Sequence, residues 1–297
     1  MSRPRIVSFL PAGTEMVHAL GAGSELVGRS HECDYPASVG SLPVVSRPSL
    51  DLDGASPEAI DLAVAERMDS GDTLYAIDEV LLRDLRPDVI LTQNLCRVCA
   101  PSGDELTRAV RKFSLRPEVL FLTPRTVGEI EDNIVVVGRA IGRVKEAEAL
   151  VRSNQERLSR VQKAVAHAPR RRVVFLEWTD PFFCGGHWVP EMISLAGGED
   201  PLGRPGEDSV RMDWDDVANA RPEIMIVSPC GYRLDRSIEL ARQITRVPGT
   251  ALYAVDANAY FARPGPRVVE GVELLAHLFH PDLVDWPHAD RPWERIH

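Results

Sequence analysis

The chain has 297 residues, 44% of them apolar and 26% charged. That is about twice the usual single-domain length, so two compact lobes are expected, and a small disulfide scaffold or a wholly disordered chain is excluded. Lys plus Arg number 34 against 44 Asp plus Glu, a net charge of −10, the wrong sign for binding nucleic acid or an anionic membrane surface.

The opening MSRPRIVSFLPAGTEM reaches a strand-like run almost at once, without the apolar stretch and small-residue cleavage site of a secretory signal, so a cytoplasmic protein is expected. No stretch approaches the roughly 18 consecutive apolar residues of a membrane span. The five cysteines, Cys33, Cys96, Cys99, Cys184 and Cys230, are too few for a disulfide framework and are read as thiols.

In chain order, residues 5–10 form a strand candidate, Pro11 begins the turn, and residues 15–20 continue as a helix that stops at Gly21. Residues 25–30, 88–93 and 118–123 are rich in Val, Ile and Leu, the nearly continuous apolar runs of parallel strands covered on both faces. Thr126 to Glu129 has a capping-box pattern that opens a helix running to about Ile141, and Gly142 interrupts it. Residues 145–166 contain no Gly or Pro and carry Ala147, Leu150, Val151, Leu158, Val161 and Val165 as one apolar stripe. One helix of about 33 Å is predicted there, contacting both lobes. The second half repeats the grammar: strands at 172–178, 223–228 and 252–256, helices at 189–196, 235–244 and 266–279, and a tail over 285–297 expected on the surface. The expected class is α/β, with two doubly wound parallel-sheet lobes at residues 1–125 and 169–297, joined through 126–168 by connecting helices that include a single long backbone helix.

Ligands of open parallel sheets bind outside the carboxyl ends of the strands, and the unusual residues sort to those loops. His31 and Cys33 follow the strand at 25–30; Gln93, Cys96 and Cys99 follow that at 88–93. Trp178, Cys184, His187 and Trp188 lie at or after the strand at 172–178, Cys230 and Tyr232 after that at 223–228, and Tyr260 and Phe261 after that at 252–256. Cys96-Arg-Val-Cys99 has a spacing that lets two sulfurs reach one ion, with His31, Cys33, His187 or Cys230 completing a transition-metal site. The plainer reading is that each cysteine is a small buried apolar residue. A redox pair is disfavoured because no helix clearly begins at Cys96.

No catalytic residues are assigned, and an enzyme is not expected: GxSxG, Walker, HExxH and GxGxxG patterns are all missing. Glu177 beside Asp180 reads more simply as capping or solvent-facing carboxylates, and His18, His167, His277, His280, His288 and His297 as surface or packing residues. The aromatics Trp178, Phe182, Phe183, Trp188, Tyr260 and Phe261 suit a large planar ligand, with core packing the plainer reading for Phe182 and Phe183.

The segments RIVSFLPAGTEMVHALGAGSELVGRSHECDYP, DLRPDVILTQ, GGHWVPEMISLAGG, RPEIMIVSPCGY and YAVDANAYFARPGPRVVEG occur in this order across nearly the whole chain. Together they resemble the periplasmic-binding-protein class that carries cobalamin, haem and iron-siderophores to ABC importers. The cobalamin-binding proteins are the most similar, in particular a group with SHECDYP, TQNLCRVCA and GHW. The resemblance implies the class III substrate-binding-protein fold, a helical-backbone receptor holding its ligand in the interlobe cleft with little hinge motion. It puts cleft residues at His31 to Tyr35, adding Glu32 and Tyr35 to the ligand set, and places the family's cleft tryptophan at Tyr260, followed by Phe261. It also implies a leader segment and importer-docking acids. At the C-terminal docking position this sequence has Ser194, with Glu191 one turn earlier, and Glu79 in the N-terminal half is displaced, so docking to an ABC permease is in doubt. The expectation is a non-catalytic carrier or sensor of cobalamin or a related corrinoid. The alternative is a metal-binding or redox protein, or a metalloenzyme, using the His and Cys loops; a third reading is an importer component whose leader is encoded upstream.

Overall fold

A computed structural model describes residues 3–52, 54–70, 73–94 and 116–297. The expected CxxC, Cys96 and Cys99, lies outside them. The chain divides into two compact units, the first Met1–Pro124 with Ile130–Arg152, the second Arg125–Glu129 with Ser153–His297.

The first unit is built on strands β1 (Ile6–Ser8), β2 (Leu26–Ser30), β3 (Val44–Pro48), β4 (Tyr75–Ile77), β5 (Val89–Thr92) and β6 (Glu118–Phe121), ordered β4-β3-β2-β1-β5-β6. Every neighbouring pair is parallel except β3–β4. Central β1 and β5 are buried along their whole length, which is why their sequences are unbroken apolar runs rather than alternating ones. Val7, Phe9, Val45, Leu82 and Ile90 form the core of one face. Fully burying each such side chain contributes about 1.5–3 kcal/mol. Gly13, in the helix Pro11–Ala19, is dictated by close approach: a Cβ there would meet Ser8 Oγ at 2.9 Å and Leu91 Cδ1 at 3.0 Å.

The second unit contains β7 (Arg171–Thr179), β8 (Phe182–Cys184), β9 (Gly198–Glu199), β10 (Arg211–Met212), β11 (Ile224–Val227), β12 (Ala251–Val255) and β13 (Trp293–Ile296). Their order is β10-β8-β7-β11-β12-β13, with β9 also on β7. The expected parallel trio β7, β11 and β12 is present, but β8, β10 and β13 pair antiparallel, so both sheets are mixed. The tail expected on the surface instead supplies β13, and Ile296, 6% exposed, joins the core of Val174, Leu176, Val227, Leu252 and Ala254.

The predicted long helix is observed as Val144–Val165, and the division between the units falls within it, after Arg152. Its buried positions step 147, 154, 158, 161 and 165, with Asn154 filling a polar place in the stripe. In the second unit Arg157 grips Glu273 with two bonds, Nε to Oε1 at 2.9 Å and Nη2 to Oε2 at 2.6 Å, the strong fork geometry of this pair. The preceding helix, Val127–Ala140, also starts on the second unit. Its Val127 N–H donates to Glu191 Oε2 at 2.7 Å. The capping box is half realised: Thr126 Oγ1 accepts from Glu129 N–H at 3.1 Å, while Glu129 reaches the N–H of Arg125, one residue before the expected target.

The run 170–172 explains how the second sheet starts. Arg170 donates to the carbonyls of Ser194 and Gly198, Arg171 to that of Phe279 at 3.2 Å, and Arg172 to that of Ala220. Ser194, Phe279 and Ala220 close three different helices, where the last carbonyls and the negative end of the dipole favour a cation. In the first unit Arg5 does the same for Leu85, at 2.8 Å. Replacing Arg171 or Arg172 by Ala will lower stability by about 1–2 kcal/mol each, and Lys will recover part of it. The urea midpoint of each variant measures this.

Candidate functional site

A doubly wound sheet offers its ligand site where the strand order reverses. In the first unit that point lies between β1 and β5. Gln93, just past β5, is only 6% exposed. The displayed groups lie one strand along, in the loop after β2. His31 Nδ1 is 3.1 Å from the Ser46 carbonyl, which can only accept, so Nδ1 is the donor to it. Nε2 is 3.2 Å from Glu32 Oε1, and the imidazole is tilted against Tyr75 with centroids 5.7 Å apart. Tyr35 is 48% exposed, the most open of the expected ligand aromatics. Cys33, expected among the donors, is instead 1% exposed and receives a bond from Thr14 Oγ1 at 3.1 Å, so it packs as a small core residue.

In the second unit β8 lies on one side of β7 and β11 on the other, so the switch falls between β7 and β11. The carboxyl end of β7 and the loop after β11 bring Trp178 and Tyr232 into a stack with centroids 5.7 Å apart and planes 15° from parallel. The Arg236 guanidinium lies 5.9 Å from the Tyr232 ring and bonds Glu239 at 2.6 Å. Burial pushes the Tyr232 phenol up, opposed by Arg236. Cys230 is exposed beside this pair in sequence, its N–H donating to the Glu177 carbonyl at 3.0 Å.

Glu177 is structural rather than chemically free. Its Oε1 accepts from Gly186 N–H at 2.9 Å and its Oε2 from Ser209 Oγ. Gly186 has no room for a side chain, since a Cβ would lie 2.5 Å from Ser209 N. His187 follows at φ +51 with Nε2 3.1 Å from Asp208 Oδ1, which also takes Arg125 Nη1 at 3.2 Å. Burial lowers the His187 pKa, Asp208 raises it, and Arg125 lowers it again, with burial the largest effect. Trp188 is buried with Nε1 donating to the Phe261 carbonyl at 2.9 Å.

Tyr260 and Phe261, expected as cleft walls, are buried. Tyr260 OH donates to Asp290 Oδ2 at 3.0 Å, its ring packs edge-on to Trp286, and Phe261 packs edge-on to Phe175. The reason is the tail, which lays Trp286 and Asp290 over Tyr260. Among the described residues no three His, Cys, Asp or Glu side chains converge as a metal site. The sequence reading missed Arg29, Arg125, Asp208 and Arg236; a charged residue inside the short apolar strand β2 was the available sign for Arg29.

A model of the family described as periplasmic binding protein matches residues 6–251. The Vitamin B12-binding protein of Vibrio cholerae serotype O1 is 23% identical over 276 residues, 91% of this chain and 87% of that one. The Bacillus subtilis protein described as an uncharacterized ABC transporter substrate-binding lipoprotein, YvrC, is 24% identical over 287 residues, 94% and 80% of the two chains. Among solved structures, a periplasmic heme-binding protein from Pseudomonas aeruginosa matches with a TM-score of 0.71 at 19% identity, covering 99% of this chain and 98% of its own, a likeness of fold.

The loop over residues 200–210 carries a testable charge. Asp200 accepts from the N–H groups of Phe175, Leu202 and Gly203 at 3.0–3.2 Å, yet burial raises its pKa to about 6. The folded state thus holds this proton more tightly than the unfolded one. The stability it contributes is complete below about pH 4 and lost as pH rises through about 6. Asp200→Asn will remove that slope from the pH dependence of the urea midpoint. With a mixed sheet in each of its two units, and a family match over most of its length, the chain belongs to the periplasmic binding protein family and has its class III fold.

Proposed function

We propose that this protein is a non-catalytic binder of a planar metal-containing macrocycle, a corrinoid in the first place, held on the aromatic loops at the carboxyl ends of its strands. The carrying observation is the Trp178–Tyr232 stack at the switch point of the second sheet. Such a pair offers aromatic surface with little conformational freedom to lose, which suits a large conjugated ring. One further feature supports it. The named cobalamin-binding relative favours a corrinoid over haem, which a fold neighbour's description names.

Carriage rather than chemistry fits the state of the carboxylates. Glu177 holds two loops together, and Glu191 caps the helix Val127–Ala140. Ser194, at the position where the resemblance implies an importer-docking acid, is held under Arg170.

Titration with hydroxocobalamin, dicyanocobinamide and haemin, followed by visible absorption and calorimetry, tests the proposal. A corrinoid is expected to bind, and Trp178→Ala and Tyr232→Ala are each expected to weaken it by about 1–3 kcal/mol, the scale for an aromatic anchor. Haemin alone binding would replace the corrinoid by haem; no spectral change and no heat with any of the three at high micromolar concentration would overturn the reading.

A further inference from the structure

Arg29 is the fourth residue of β2, and its side chain turns beneath the loop that follows instead of into solvent. Nη1 donates to the carbonyls of Ser30, His31 and Cys33 at 3.0, 3.3 and 3.1 Å, and Nη2 donates to that of Gly40 at 3.2 Å. Four carbonyls from an eleven-residue span of chain therefore face one guanidinium. Carbonyl dipoles aimed at a common point repel one another unless a cation sits there. Short bonds also run within the span: Cys33 N–H to the Ser30 carbonyl at 3.2 Å, Glu32 N–H to Ser30 Oγ at 3.1 Å and Val39 N–H to the Pro36 carbonyl at 3.0 Å. His31 is fixed from the other side by Ser46, whose carbonyl takes both its N–H and its ring.

We infer that Arg29 is the positioning residue of this loop, its guanidinium holding the backbone of residues 30–40 so that His31 and Tyr35 are displayed in place before any ligand arrives. The inference rests on the macrocycle reading for its functional consequence, but the hold on the loop is independent of it. A planar fork with several donors is required. Met at this position keeps the apolar stem and abolishes every donor, and Lys keeps the charge as a single point that cannot reach four carbonyls.

Arg29→Met and Arg29→Lys are compared with the wild type by amide hydrogen exchange, thermal melting and stopped-flow binding of the macrocycle that the wild type takes up. In Arg29→Met, protection is expected to fall within residues 30–40 while that of β1 and β5 stays. Affinity is expected to fall about tenfold or more, chiefly through slower association, as when preorganisation is lost. Lys is expected to recover part of both. Unchanged protection in the loop would overturn the inference, as would lost protection with binding rate and affinity intact. A general drop in protection and melting temperature, with no excess in the loop, would reduce Arg29 to a fold-stabilising residue and overturn it as well. If the wild type binds none of the macrocycles, the functional reading fails, and the exchange data alone decide whether Arg29 holds the loop.

Discussion

Every crossover helix in this architecture returns against its strands, so helix C-termini gather at the amino edge of each sheet, with unpaired carbonyls and partial negative charge. The fold depends on answering them. In the second unit three consecutive arginines, Arg170 to Arg172, serve three separate helix ends, and in the first Arg5 serves the end at Leu85. Because the amino edge is satisfied from within, the opposite edge is left to carry polar and aromatic groups with other work. Arg29 applies the same chemistry at that opposite edge, to loop carbonyls instead of helix carbonyls.

Much of the fold was legible because it rests on local pattern. The apolar run ending at Ser8 and that over Val173 to Leu176 could only be central strands, and the stripe from Ala147 to Val165 could only be one helix. The misses are places where a partner distant in sequence decides. Trp293–Ile296 reads as a tail until β12 is there to receive it, and the short strands β4, β8 and β10 have too few residues to show a period. The candidate site was legible as a set of loops and not as geometry. Tyr260 looked like an exposed wall because Asp290 and Trp286, which cover it, are some thirty residues away. Cys33 resembled a donor because nothing local shows Thr14 above it.

Several apparently reactive groups turn out to hold loops. Glu177 joins the turn at Gly186 to Ser209, and Asp208 joins His187 to Arg125. The result is a doubled loop that is fastened at four points. Firm loops suit a receptor that must recognise a rigid ring, because little ordering remains to be done on binding.

The strand Trp293–Ile296 sets an order on biosynthesis. It pairs with β12 and brings Ile296 into the core of the second unit. As the chain leaves the ribosome, β7, β11 and β12 can assemble while the flank of β12 still lacks its cover, and an uncovered flank invites pairing with other nascent chains. The second unit therefore closes only when residues 293–296 have emerged, and a truncation before Trp293 leaves a sticky intermediate in place of a shorter folded protein.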